Sequence, residues 1–247
     1  ASYNKEKGFQ EGNGNQRVLL NLTSSAKLTK NLSFDLSLNT VFSKQEKNGT
    51  DISALKKYIS PWSRLVDDNG AYLHVPTSET VYEPILRSEY QGKTPASWLY
   101  NPAQDRAFND NTSNTMNYRV QGGFNYSTTW GLNLNAKGQY EWQRFKNHDF
   151  HDVESFFVRN LYNTYSTLNE ETGKYISYFP AGGIFTDKGN IYESYNLRGQ
   201  ADYTLSTERH NLTVLAGTEI ISASTEMTPE ITRYGFNKYT NSVQATP

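Results

Sequence analysis

Met116-Asn117-Tyr118-Arg119-Val120-Gln121-Gly122-Gly123-Phe124-Asn125-Tyr126-Ser127-Thr128-Thr129-Trp130 alternates with a period of two. Its even positions are Met116, Tyr118, Val120, Gly122, Phe124, Tyr126, Thr128 and Trp130, and none of the odd positions between them is apolar or aromatic apart from Gly123. Successive side chains of a β-strand point to opposite faces, so this segment has one ring-rich face and one polar face. After Gly131 the pattern resumes, with Leu132, Leu134, Ala136, Gly138, Tyr140 and Trp142 set against Asn133, Asn135, Lys137, Gln139 and Glu141. Two such runs joined through Thr129-Trp130-Gly131 read as a hairpin with a tight turn.

Two further hairpins follow the same plan. Val18, Leu20 and Leu22 precede the turn at 27–31, and Leu32, Phe34, Leu36, Leu38 and Phe42 return from it. Tyr195, Leu197, Gly199, Ala201 and Tyr203 precede the turn at 205–209, and Leu212, Val214, Ala216 and Ile220 follow. Leu19, Val41 and Leu215 interrupt the polar face. Six strands of roughly 9 to 15 residues exceed the usual soluble length of about 5 to 6. A tilted strand crossing a bilayer needs about 9 to 11.

The three short turns fall at one end of the strands. The connections at 43–115 and 146–191, and the tail after Ile221, fall at the other. Outer-membrane barrels combine brief turns on one side, long extracellular loops on the other, and strands apolar outside and polar inside. In that setting Asp35, Arg119, Lys137, Glu141, Arg198, Asp202 and Glu219 line a wet bore. Tyr126, Trp130 and Tyr203 near the turns, with Phe42, Tyr118, Tyr140 and Trp142 toward the loops, are placed as two interfacial aromatic girdles. The expected fold is all-β: about six strands, in three hairpins, of an antiparallel up-and-down transmembrane barrel with long extracellular loops. The same alternation also suits a soluble or surface-attached β-sandwich, in which the rings pack across strands and the polar face is simply outside.

Composition narrows the function. The 247 residues hold no cysteine, which excludes disulfides, thiolate metal sites and cysteine nucleophiles. A net charge of −1 lacks the basic footprint of a nucleic-acid binder. No apolar run approaches the roughly 18 residues of a membrane helix. Eighteen tyrosines, twelve phenylalanines and four tryptophans argue against disorder. The chain opens on Ala1, with neither Met nor a signal peptide, and is expected to be processed or part of something larger.

In the loops, Trp62, Tyr72, Trp98 and Tyr100 stand among Asn and Asp residues. Exposed rings beside amides and carboxylates suit a sugar, with stacking on the pyranose face and hydrogen bonds to hydroxyls. A loop packed by its own rings has the same composition. Val153, Phe156, Phe157 and Leu161 recur at helical spacing and predict a short surface helix over the mouth. His148 and His151, flanked by Asp149 and Asp152, lack a third ligand at diagnostic spacing and read as solvated loop histidines. There is no G-x-S-x-G or other nucleophile signature. No enzyme and no cofactor is expected.

Several segments resemble SusC/RagA-type TonB-dependent outer-membrane transporters of Bacteroidetes. They are Gln16–Leu22, Leu28–Phe34, Asp67-Asp68-Asn69-Gly70-Ala71-Tyr72 after Ser60-Pro61, Tyr195–Tyr203 and His210–Glu219. The resemblance implies that 1–247 is an internal part of one barrel domain of about 22 strands, with the plug and remaining strands elsewhere. It also implies residence in the bacterial outer membrane and import of glycans, or in some cases peptides, under a SusD-like surface lipoprotein. Energy would come from TonB through the absent N-terminal region. Outer-membrane lipid would surround the apolar face, and no nucleic acid is involved.

Overall fold

The computed structural model describes residues 1–48, 52–57, 59–76 and 93–244. The strands are β1 (Ser2–Lys7), β2 (Gly14–Lys27), β3 (Leu32–Glu46), β4 (Asn109–Ser127), β5 (Leu132–His151), β6 (Ser166–Asn169), β7 (Lys174–Ser177), β8 (Gly183–Ser206), β9 (Asn211–Asn237) and β10 (Ser242–Val243). Among the described residues the α-helices are α1 (Pro102–Asp105) and α2 (Phe156–Thr164). No described helix is long and apolar enough to cross a membrane.

Eight strands form one antiparallel sheet in the order β1-β2-β3-β4-β5-β8-β9-β10, and β6–β7 is a separate hairpin. The sheet is open, of up-and-down barrel-wall type. Its register keeps each alternation on one side. Leu38, Val120, Tyr140, Tyr195 and Ser222 form one cross-sheet row, and Asn39, Arg119, Glu141, Ser194 and Ala223 form the next. Across β2 to β9, five successive rows of the first face, from the row of Leu132 to that of Tyr140, carry no charged residue. The other face is a polar ladder. Arg119 is bidentate on Glu141 at 3.0–3.1 Å, and Asn117 donates to Glu141 at 2.7 Å. Asn125 and Ser25 donate to Asp35, and Asn133 donates to Asp202.

Among the described residues nothing covers the apolar face. Leu22, Leu197 and Ile220 are 62%, 58% and 66% exposed, although a sandwich would bury them. The sandwich alternative fails on this point, because among the described residues no second layer packs on that side. The few deeply buried apolar side chains, Leu55, Val75, Tyr100, Val158, Ile184 and Phe236, all lie at the long-loop end.

A threonine closes each of the three tight turns. The hydroxyls of Thr29, Thr128 and Thr207 accept the backbone N–H of Leu32, Leu132 and His210 at 3.1, 2.9 and 3.0 Å. This local bond gives the chain a turn in place of a ladder partner. Gly131 has φ +101°, and a Cβ there would lie 2.2 Å from the Thr204 carbonyl oxygen. Only glycine fits.

The strands outrun the sequence pattern. β3 continues to Glu46, β4 begins at Asn109, β5 reaches His151, β8 begins at Gly183 and β9 extends to Asn237. The expected loops at 43–115 and 146–191 therefore shrink to 47–108 and 152–182. The middle of the first, 77–92, lies outside the described residues. The tail after Ile221 is strand rather than loop. The strand count rises above six, with β1 and β10 added at the edges. Their connections, 8–13 and 238–241, are short and sit at the long-loop end, so the asymmetry of the two ends is incomplete.

Candidate functional site

The loop segments build a cap over one end of the sheet, and buried polar groups hold it together. Asp67 Oδ1 accepts from the backbone N–H groups of Asn69 and Ala71, both at 2.8 Å, and Gly70 takes φ +84° to complete the turn. Leu73 N donates to Leu65 O, so 65–73 folds back as a small hairpin. The Asn101 amide, 2% exposed, joins that hairpin to α1. Its Nδ2 donates to the carbonyls of Leu65 and Leu73, at 2.7 and 2.5 Å. Its Oδ1 accepts from Ala103 N and Gln104 N and so caps α1.

Asp105 extends the connection. Its Oδ1 accepts from Phe156 N at 2.5 Å at the start of α2, where Ser155 is the N-cap. Asn163 clasps the backbone of Ala96 in both directions at 3.0 Å. Arg159 donates to the carbonyls of Ser97, Leu99 and Glu154, and burial holds its guanidinium below the usual arginine value. The buried side chains among these, Asn101, Asp105, Ser155 and Asn163, are all hydrogen-bonded, as a polar network must be in order to stabilise.

Helix α2 lies against the charged face. Phe157 meets the His151 ring with centroids 4.8 Å apart, and Phe179 meets Tyr234 at 5.6 Å. On one side of the His151–Phe157 contact is an open cleft of about 720 Å³, lined by Tyr165, Tyr178, Phe179 and Tyr234, with Thr167, Thr186, Thr232 and Asp149 between the rings. On the other side is a smaller cleft of about 420 Å³, which reaches Lys47, Asn109, Asn111 and Asn160. Asp149, His151 and Phe157 belong to both. Ring faces and hydroxyls in the larger cleft, with amides and the carboxylates of Asp105 and Asp149 in the smaller, suit a neutral or weakly charged polar ligand. An anionic phosphate would need more cations than Lys47 supplies. Tyr162 buttresses the larger cleft: its hydroxyl accepts from Gly182 N at 3.1 Å, and burial raises its pKa.

The four sequence-designated rings scatter. Trp62 is 91% exposed and Tyr72 45% exposed, the latter bridged to Val66. Trp98 is half-buried. Tyr100 is 3% exposed, packed with Leu55 and Val75 and 4.9 Å from the Phe156 ring, so it serves as the core of the cap and backs the smaller cleft. None of the four lines the larger cleft. The rings that do line it, Tyr165, Tyr178 and Phe179, stood in the sequence as an aromatic cluster around the β6–β7 hairpin. That ring density could have marked them.

His148 and His151 are not loop residues, because β5 carries both. His148 stands on the apolar-face side, 3.1 Å from Asp187 and stacked on Phe185. His151 stands on the opposite face with Asn109 at 2.5 Å. Among the described residues no three His, Asp or Glu side chains come together as a metal site. Helix α2 falls where Phe156, Phe157 and Leu161 predict it, with Val153 before its start, and it packs over the polar face at the loop end of the sheet.

No protein-family profile and no curated protein matches this sequence. Solved structures do. The chain superposes on the RagAB peptide transporter with a TM-score of 0.62 at 14% identity, over 91% of this chain and 22% of that one. An open-open state of the RagAB peptide importer gives 0.63 at 13% identity over 94% and 22%, and a closed-closed state gives 0.57 at 12% over 90% and 24%. The chain thus shares a fold with part of these proteins and spans only about 22% of the matched chains.

Proposed function

We propose that this chain is a section of the barrel wall and extracellular mouth of an active outer-membrane transporter that imports oligomeric nutrients. The observation that carries the reading is the division of the sheet: five uncharged rows, four of them bearing rings, exposed on one face, and an ion-paired ladder on the other. In a barrel the first face meets hydrocarbon and the second a wet lumen, so neither carries a desolvation cost. The cap and its clefts then sit at the lumen entrance, where a ligand arrives. The whole of 1–247 belongs to one barrel domain, and the bacterial outer membrane is its site. The likeness to RagAB supports this reading.

The cargo class follows from the clefts. Stacked rings with hydroxyl and amide neighbours suit glycans first. Peptides are the second class, which the peptide-importing structural relatives favour. The partners this reading requires are a SusD-like lipoprotein over the mouth and TonB acting through a region outside these residues. The chain performs no catalysis and needs no cofactor.

Nitroxide labels in the complete protein test it. Labels at Leu134 and Leu197 should be relaxed by lipid-soluble oxygen, and labels at Lys137 and Arg198 by a water-soluble nickel complex. The reverse pattern, or water at all four, overturns the reading. For cargo, Tyr178→Ala with Tyr234→Ala should weaken oligosaccharide binding measured by calorimetry on the complete protein. Unchanged sugar affinity together with lost peptide affinity would transfer the site to peptides.

A further inference from the structure

We propose that the outward face of β1 to β5, on the loop side of its aromatic rows, docks the phosphate groups of an anionic lipid leaflet. The inference rests on the barrel reading and adds a specific contact to it. Register places Lys5, Gln16, Lys44, Asn114 and Lys146 in one cross-sheet row, without a carboxylate among them. Arg144 stands one row nearer the turns, beside Phe42 and Met116. Lys5, Lys44 and Arg144 are exposed and Lys146 half-buried. Lys44 pairs with Glu46 at 2.5 Å, while the other three cations make no ion pair among the described residues.

Height along the strands fixes what these cations meet. The Tyr118–Trp142 contact marks the first ring row above the uncharged band, and Tyr3 and Phe42 carry rings in the next. Amphipathic rings settle at headgroup level. Arg144 stands in the row of Tyr3 and Phe42, at the outer edge of those rings, and the lysine row is about 7 Å further along the strands. That is where lipid phosphates begin.

Charge also separates sideways at this level. On β8 and β9 the row of Arg144 continues to Ile191 and Glu226 and the row of Lys146 to Gly189 and Thr228, with no cation among them, so the cationic patch is confined to β1–β5. Discouraging edge-to-edge pairing would explain Lys5 on the edge strand. It does not explain Lys44, Arg144 and Lys146, whose strands are paired on both sides. Coulomb attraction to a phosphate-bearing surface does, at a gain of roughly fivefold in binding per cation.

The experiment uses the complete protein in mild detergent, with diphosphoryl lipid A and its dephosphorylated form as probes, and retention is read by native mass spectrometry. The wild type should retain the phosphorylated form preferentially. Combined Lys44→Gln, Arg144→Gln and Lys146→Gln should reduce that retention roughly a hundredfold and leave the dephosphorylated form unchanged. Excess inorganic phosphate should not compete. Equal retention of both lipids by the wild type, unchanged retention by the variant, or displacement by inorganic phosphate overturns the proposal. Heat-modifiable gel mobility checks that the variant folds. If it does not, Arg144→Gln alone decides, with an expected loss of roughly fivefold. Glu193→Gln with Glu226→Gln should not reduce retention. The Leu197 label separates the two failures: hydrocarbon at Leu197 with unchanged retention rejects only the docking patch, whereas water at Leu197 rejects the barrel.

Discussion

Leu22, Leu197 and Ile220 on the long strands are more than half exposed, whereas Ser155 and Val158 in the cap are 0% exposed. The strands have no interior, so their order comes from the backbone ladder, the inner polar pairs and an apolar surrounding that is not protein. The cap follows the usual logic of a folded protein in water, with a small apolar cluster around Leu55, Val75 and Tyr100 and buried amides at its joints. The two regions therefore fail for different reasons. A charge matters most where the strand is most exposed, and a lost hydrogen bond matters most where the cap is most buried.

The largest break should come from Leu197→Arg, midway between the ring rows of Tyr126 and Trp142, in the complete protein in a bilayer, about 2 to 4 kcal/mol as read by urea unfolding. Gln139→Arg, on the opposite face of the neighbouring strand, should cost far less. Equal costs would erase the distinction between the faces. Next is Asn101→Ala, which strands two buried carbonyls and uncaps α1, for about 2 kcal/mol confined to the cap. Hydrogen exchange should speed up at 65–73 and 102–105 while amides of β5 and β8 stay protected. Thr207→Val opens a turn that holds only one end of a hairpin. It should cost about 1 kcal/mol and raise exchange at Ser206 and Asn211.

The smallest effect belongs to the contact between Lys238, beyond β9, and Asp152 at the base of the cap. Asp152 accepts from the Lys238 ammonium at 2.7 Å and raises its pKa above the usual lysine value. The stabilisation is complete below that usual value and disappears as pH rises through the raised one. The pair is partly exposed, so salt should weaken it further. Asp152→Asn should abolish the alkaline step in exchange at 236–239, and a step that persists would assign it elsewhere.

The three hairpins, their turns and the two faces were legible because one face of each strand is apolar, and period two is then written in residue type. The pattern stops at the level where both faces are wet. From Ser222 to Glu226 β9 reads Ser-Ala-Ser-Thr-Glu, yet the ladder with β8 continues, since backbone pairing needs no hydrophobic contrast. The same reason hid the loop-side ends of β5 and β8 and made His148 and His151 look like loop residues. β1, Ser2-Tyr3-Asn4-Lys5-Glu6-Lys7, has only one ring to betray it. The cap was half legible. Helical spacing announced α2, but Asn101 and Asp105 are joints only in three dimensions, because their partners lie at Leu65, Leu73 and Phe156.

Across the sheet from β8, β9 meets, among the described residues, only the two residues of β10, at Phe236 and Asn237. From Asn211 to Gly235 its other margin therefore offers donors and acceptors to any passing strand with a compatible stagger. Such a margin is a template. Refolded alone in water, these residues should stack copy upon copy into ribbons that bind amyloid dyes, and growth should halt when a short N-methylated strand peptide blocks the margin.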